Sequence, residues 1–197
     1  MFSAISGDFI DEPARQEAPA ISSEVAEQAR AGDSQAFTTL FQTYNSQICT
    51  YLARLVGNDE VGRDLAQETF MRAWESLPAM DQPLHFKPWL YRIATNCAKS
   101  YLRRTRLIRW LSWKDEETGP LVQGPEERTG ETECVQQAMA SLSPQCRTCL
   151  LLQLVGGFSQ REIAELLHIS EKSVSAYVSR GREQFRREYR RRKGETA

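Results

Sequence analysis

The pair with the most chemical spacing in this chain is Cys146-Arg-Thr-Cys149, because a CxxC suits a dithiol–disulfide couple or half of a metal site. Its surroundings argue for a plainer role. Ser143-Pro144 just upstream reads as an N-cap with proline at the first helical position, so both thiols fall inside an apolar helix. No second CxxC is present, and the nearest histidine is His168. Cys49 and Cys97 lie on apolar helix faces, and five cysteines without a framework spacing do not describe a disulfide scaffold. These thiols are read as structural. No metal ligand set and no cofactor site is expected.

Non-covalent chemistry is better represented. On the helix predicted from Trp89 to Arg104, one side carries Tyr91, Arg92, Thr95, Asn96 and Lys99 and runs into Arg103 and Arg104. Aromatic, amide and basic groups on one face suit single-stranded or partly melted nucleic acid. Splayed bases stack on aromatic rings for about 1–3 kcal/mol each while cations hold the backbone. A second surface lies in GFSQREIAELLHISEKSVSAYVSRGREQFRR, residues 157–187. Ser159 with Glu162 three residues later forms a capping box, and Ile163, Leu166 and Leu167 give the following helix one apolar face. The pattern breaks at His168-Ile169-Ser170, and Ser170 caps a second helix that buries Val174, Val178 and Phe185. Ser173, Ser175, Ala176, Ser179 and Arg180 are left outside, with Arg182, Arg186 and Arg187 adding attraction for a phosphate backbone. Two short helices about a tight turn, the second small and polar and then basic, have the layout of a DNA-binding helix-turn-helix. His168 stands where the turn needs positive φ, a conformation histidine tolerates better than most residues. Ala164 permits close approach, and Ile169 and Val174 are expected to plug the angle between the helices. An ordinary helical hairpin with a basic end would not require these offsets to agree.

The elements that position these faces are all helical, so the expected fold class is all-α with two small domains. From Ser23 a short helix ends at Ala31-Gly32, and Asp33 caps the next, whose stripe is Phe37, Leu40, Phe41, Tyr44, Ile48, Leu52 and Leu55. Gly57-Asn58-Asp59 stops it and caps a third helix, with Val61, Leu65, Phe70, Ala73, Trp74 and Leu77 inside and a polar strip of Asp64, Gln67, Glu68 and Arg72 outside. On the residues alone that strip is a solvated face. A loop with Pro78, Pro83 and Pro88 leads to the Trp89–Arg104 helix. Residues 105–134 lack a sustained period and are read as a flexible linker, with Trp110, Leu111 and Trp113 expected to dock on something. The domains are therefore 23–104 and 135–190, with an N-terminal arm at 1–22 read as disordered and a basic tail at 191–197. The arm has neither a basic n-region nor a long apolar run, so a cytoplasmic protein is expected. The net charge of −1 hides an asymmetry. Arginines cluster at 103–109 and from Arg180 to Lys193, acids gather in Asp115–Glu133, and phosphates respond to the local field.

Taken in order, these motifs resemble the extracytoplasmic-function sigma factors, the small group-4 members of the bacterial sigma-70 family. AGDSQAF at 31–37, DLAQETFMRAW at 64–74, FKPWLYRIATNCAKSYLRR at 86–104, LSP at 142–144 and GFSQREIAELLHIS at 157–170 carry the resemblance. It implies a region-2-like domain at 23–104 and a region-4-like helix-turn-helix domain at 135–190, in a protein that is not an enzyme and has no small-molecule substrate. The implied partners are core RNA polymerase, through its β′ clamp helices and β subunit, promoter DNA and an anti-sigma factor, with membranes touched only through the last. Asp64, Gln67, Glu68 and Arg72 then become polymerase contacts. Tyr91, Asn96, Lys99, Arg103 and Arg104 become contacts to the opened −10 strand, beside a base-capturing loop at 78–88. Ser173, Ser175, Ala176, Ser179, Arg180 and Arg182 become contacts to the −35 duplex. The resemblance also implies that an acidic segment such as Asp115-Glu116-Glu117 occupies a channel built for nucleic acid. Where the family often carries a basic residue after Val174, this chain has Ser175, Ala176 and Tyr177.

Two other functions compete. An autonomous helix-turn-helix regulator would dimerise to read two half-sites and would need neither the Asp64–Trp74 strip nor a strand-reading face. A redox enzyme using Cys146 and Cys149 would need a neighbouring catalytic constellation that the sequence does not show.

Overall fold

The computed structural model describes residues 23–80, 85–112 and 130–194, with side chains placed for all of these except 106–112, 131 and 132. Among the described residues there are eight α-helices, a 3-10 turn at Leu77–Ala79 and no strand. No described helix is long and apolar enough to cross a membrane. The helices fall into two compact units, α1–α4 and α5–α8.

The first unit comprises α1 (Ser23–Arg30), α2 (Ser34–Val56), α3 (Asp59–Ser76) and α4 (Phe86–Ser112). The Asp33 carboxylate accepts from the backbone N–H groups of Gln35 at 2.8 Å and Ala36 at 3.3 Å, which starts α2. The Asn58 side chain does the same for α3 through Val61 N–H at 2.9 Å. Leu40, Ile48, Tyr51, Leu52, Leu65, Phe70, Leu90 and Ala94 are buried where α2, α3 and α4 meet. Gly62 sets the α2–α3 distance: a Cβ there would lie 2.5 Å from Ala53 Cα, which no side chain can occupy. The loop after α3 is shorter than its prolines suggested. Leu77–Ala79 forms the 3-10 turn, and Pro88 lies inside the first turn of α4.

The second unit comprises α5 (Gly130–Ala140), α6 (Pro144–Leu154), α7 (Gln160–Leu167) and α8 (Glu171–Lys193). Ser143 caps α6 with Pro144 at its start, Ser159 and Glu162 form the reciprocal capping box of α7, and Ser170 caps α8. His168 takes the left-handed conformation, φ 54°, between α7 and α8. The core is Val135, Met139, Leu150, Leu151, Ile163, Val174, Val178 and Phe185. Val174 fills the angle between the helices, whereas Ile169 is 37% exposed and does not. The Arg147 guanidinium closes the end of α5 by donating to the carbonyls of Ala140 at 2.6 Å and Leu142 at 3.3 Å.

Both expected boundaries of the linker shift. α4 continues eight residues past Arg104, to Ser112, and α5 opens at Gly130, ahead of Val135. Arg191, Arg192 and Lys193 are the last turn of α8, not a tail. Trp113, Asp115-Glu116-Glu117 and the arm at 1–22 lie outside the described residues, as do the side chains of Trp110 and Leu111.

Candidate nucleic-acid interface

α4 is 27 residues long and carries seven basic residues and no acid. Its register decides which of them reach solvent. Leu90, Tyr91, Ala94, Thr95, Cys97 and Ala98 point into the unit, and Arg92, Asn96, Lys99 and Arg103 point out. The second set recurs at i, i+4, i+7 and i+11, a single row along one side of a helix. Trp89, Ile93 and Ser100 flank it, half-buried, with Arg104 exposed at the end of that flank.

Tyr91 is therefore not on the strand-reading face. Its spacing to Ala94, Thr95 and Ala98 is i+3, i+4 and i+7, so it shares their buried side. It is 0% exposed and packs its ring against Tyr51 with centroids 5.2 Å apart. Burial first, then the neighbouring phenols of Tyr51 and Tyr44, hold its hydroxyl well above the usual tyrosine range. Thr95, also read as outward, is 1% exposed. Its hydroxyl donates to the Tyr91 carbonyl at 2.7 Å and pairs with the Tyr51 hydroxyl at 2.8 Å. The aromatic beside the basic row is Trp89, against Phe86 at 5.7 Å, and the cation that completes the row is Arg92. The base-capturing loop expected at 78–88 includes residues 81–84, which lie outside the described residues.

α3 presents Asp64, Gln67 and Arg72 to solvent, with Glu68 half-buried and paired to Arg72 at 2.6 Å. Two apolar side chains missed in the sequence belong to the same surface. Met71 is 61% exposed among these polar groups. Trp74, expected inside, is 39% exposed at the edge, with its ring 4.8 Å from that of Phe37. The α3 surface thus combines the polar strip with exposed apolar area from Met71 and Trp74.

On α8, Ser175, Ser179 and Arg180 are exposed and Ala176 is half-buried, so the outer face of the second helix matches its reading. Lys172, which the sequence reading passed over, is exposed on it as well. Two members differ. Ser173 is half-buried, with its hydroxyl paired to that of the capping Ser170 at 2.8 Å. Arg182 turns inward and donates to Gln153 Oε1 at 3.2 Å, tying α8 to α6. Its position four residues past Val178 puts it beside the buried stripe, which explains the inward turn.

The thiols of Cys146 and Cys149 are buried, at 5% and 1% exposure, in the core beneath α8. Gly181 of α8 lies directly over Cys146, where a Cβ would come 3.3 Å from the Cys146 carbonyl oxygen. Cys97 is buried too, and burial raises its thiol above the ordinary range.

Known proteins resemble this chain in sequence and fold. Residues 40–108 match the Sigma-70 region 2 family, and residues 132–185 match Sigma-70, region 4. The chain is 30% identical over 175 residues to the ECF RNA polymerase sigma factor SigW of Bacillus subtilis (strain 168), covering 83% of this chain and 94% of that one. It is 30% identical over 161 residues to the RNA polymerase sigma factor CarQ of Myxococcus xanthus, covering 81% and 92%. Among solved structures it is similar to CnrH in complex with the cytosolic domain of CnrY, with 27% identity and a TM-score of 0.64 over 83% of this chain and 93% of that one.

Proposed function

The chain belongs to the sigma-70 family as an extracytoplasmic-function sigma factor, which directs core RNA polymerase to promoters, and we propose how its surfaces divide that work. α3 docks on the polymerase through Asp64, Gln67, Glu68 and Arg72 around Met71, against the β′ clamp helices. α8 enters duplex DNA at the −35 element with Ser175, Ala176, Ser179 and Arg180, where each good side-chain–base pairing discriminates by about 1–3 kcal/mol. The α4 row of Arg92, Asn96, Lys99 and Arg103 holds the opened −10 strand. Duplex bases hide their faces in the stack, and only a melted strand can offer one to Trp89 while its phosphates meet the three cations. The protein acts in the cytoplasm and is restrained by an anti-sigma partner, as CnrH is seen bound to the cytosolic domain of CnrY.

The observation that carries this division is α4 itself, a helix with seven basic residues, no acid and an amide in mid-row, in a unit separate from the helix-turn-helix. A stand-alone regulator has no use for it. Permanganate reactivity of promoter thymines, read beside duplex binding by holoenzyme, tests the assignment. Asn96→Ala is expected to lower opening more than closed-complex binding, and Arg180→Ala to lower closed-complex binding first. Equal losses of duplex binding in both variants, with no further effect on opening, would refute it.

A further inference from the structure

The region-4 match ends at residue 185, but α8 continues to Lys193 with Arg186, Arg187, Arg190, Arg191, Arg192 and Lys193. We infer that Arg186, Arg187 and Arg190 form a second duplex contact, to sugar-phosphate backbone alone, flanking the segment read by the first half of the helix. The inference rests on the reading that α8 enters duplex DNA.

Register supports it first. Ser175, Ser179, Arg186 and Arg190 recur at i, i+4, i+11 and i+15, and Ala176, Arg180, Arg187 and Arg191 repeat the same spacing one residue on. Both rows thus begin with small or polar groups and end in arginines on the same side of one continuous helix. All four of these later arginines are exposed. Reach supports it next. At about 1.5 Å per residue, Arg186 lies roughly 10 Å and Arg190 roughly 16 Å beyond Ser179 along the axis. A major groove is roughly 12 Å wide, so a helix whose first turns lie between the two backbones carries its later turns over one of them.

Charge and rigidity complete the case. Of the two acids in this half of the helix, Glu183 is exposed where the small-residue and arginine segments meet. Glu188 is drawn inward and paired with Arg191 at 2.7 Å, with Arg187 and Arg192 each at 4.0 Å, so this acid is shared among three arginines and the outer face keeps a net positive charge. Polar ties brace this half against α5 and the turn after it: Gln184 donates to the Ser141 carbonyl at 2.9 Å and Arg192 to Gln137 Oε1 at 2.9 Å. A braced row of guanidinium groups suits phosphate oxygens, which they bind in a fixed fork.

The test measures binding of the full chain to a mixed-sequence duplex of about 40 base pairs as salt is raised from about 50 to about 200 mM. In Arg186→Gln/Arg187→Gln/Arg190→Gln the slope of log affinity against log salt should become shallower by about 1.8–2.7, at about 0.9 for each phosphate no longer neutralised. The triple lysine variant should restore it. Unchanged slope overturns the inference. So does a shallower slope that tracks a lowered melting temperature and is not restored by lysine, which would make the row structural. Loss of polyglutamate binding with an unchanged DNA slope would assign the face to an acidic protein instead. Initiation by wild-type chain with core polymerase, run in parallel, separates the two readings. Failure there removes the promoter assignment while the salt slope still judges the phosphate row.

Discussion

Tyr91 and Asn96 stand five residues apart on one helix and should respond to truncation in opposite ways. Tyr91 is fully buried against Tyr51, so Tyr91→Ala removes a complete aromatic side chain from the junction of α2 and α4. Large-to-small changes of this kind cost about 3–5 kcal/mol. In a domain of this size each kcal/mol lowers the melting temperature by about 4–8 °C, so the first unit should lose at least about 12 °C. Tyr91→Phe keeps the ring and should stay folded, with strand opening retained. Asn96 is exposed, and Asn96→Ala should change stability by about 0.5 kcal/mol or less while opening is impaired. Thermal melting by circular dichroism, followed by permanganate footprinting of the folded variants, reads both effects. If Tyr91→Ala melted within about 2 °C of the parent while strand opening disappeared, Tyr91 would belong on the nucleic-acid face and the assigned register of α4 would be wrong.

Further tests follow from the other surfaces. Met71→Asp should weaken binding to core polymerase at least about tenfold, as removal of a central anchor does, with stability nearly unchanged; equal affinity in a pull-down would remove α3 from that interface. Gly62→Ala places a methyl group against Ala53 backbone and should cost about 1–3 kcal/mol by forcing α2 and α3 apart, read as a lowered urea midpoint. Ser159→Ala opens the capping box and should cost about 1 kcal/mol in the second unit alone. Cys146→Ala/Cys149→Ala should lower stability yet keep promoter-directed transcription under reducing conditions, whereas activity that tracked zinc content or thiol oxidation would make the pair functional.

The local signals that could be read without a structure were those whose physics is local. Asp33, Asn58, Ser143, Ser159 and Ser170 cap helices because a side-chain oxygen meets an orphan N–H within three residues, and that depends on nothing distant. The positive φ at His168 followed from the same turn chemistry. The errors arose where tertiary packing decides. Tyr91 was placed outside because its ring suits base stacking, but Tyr51, from a different helix, and Thr95, bonded to Tyr51 across that junction, enclose it. Met71 could not be recognised as exposed until the packing of α2 against α3 was known. Arg182 carries the charge of a phosphate contact but sits at the edge of the buried stripe, where Gln153 of α6 takes it. The end of α4 was missed because residues 105–112 have no amphipathic period, while nothing in them prevents an established helix from continuing.

The central claim is tested most directly by adding the purified chain to core RNA polymerase on fragmented genomic DNA of the source organism and mapping transcript starts. A small set of discrete starts is expected, absent with core enzyme alone and sharing one sequence pair upstream. They should disappear with Met71→Asp for want of assembly and with Asn96→Ala for want of opening. Starts no different from those of core enzyme alone, or the same starts retained by both variants, would contradict it.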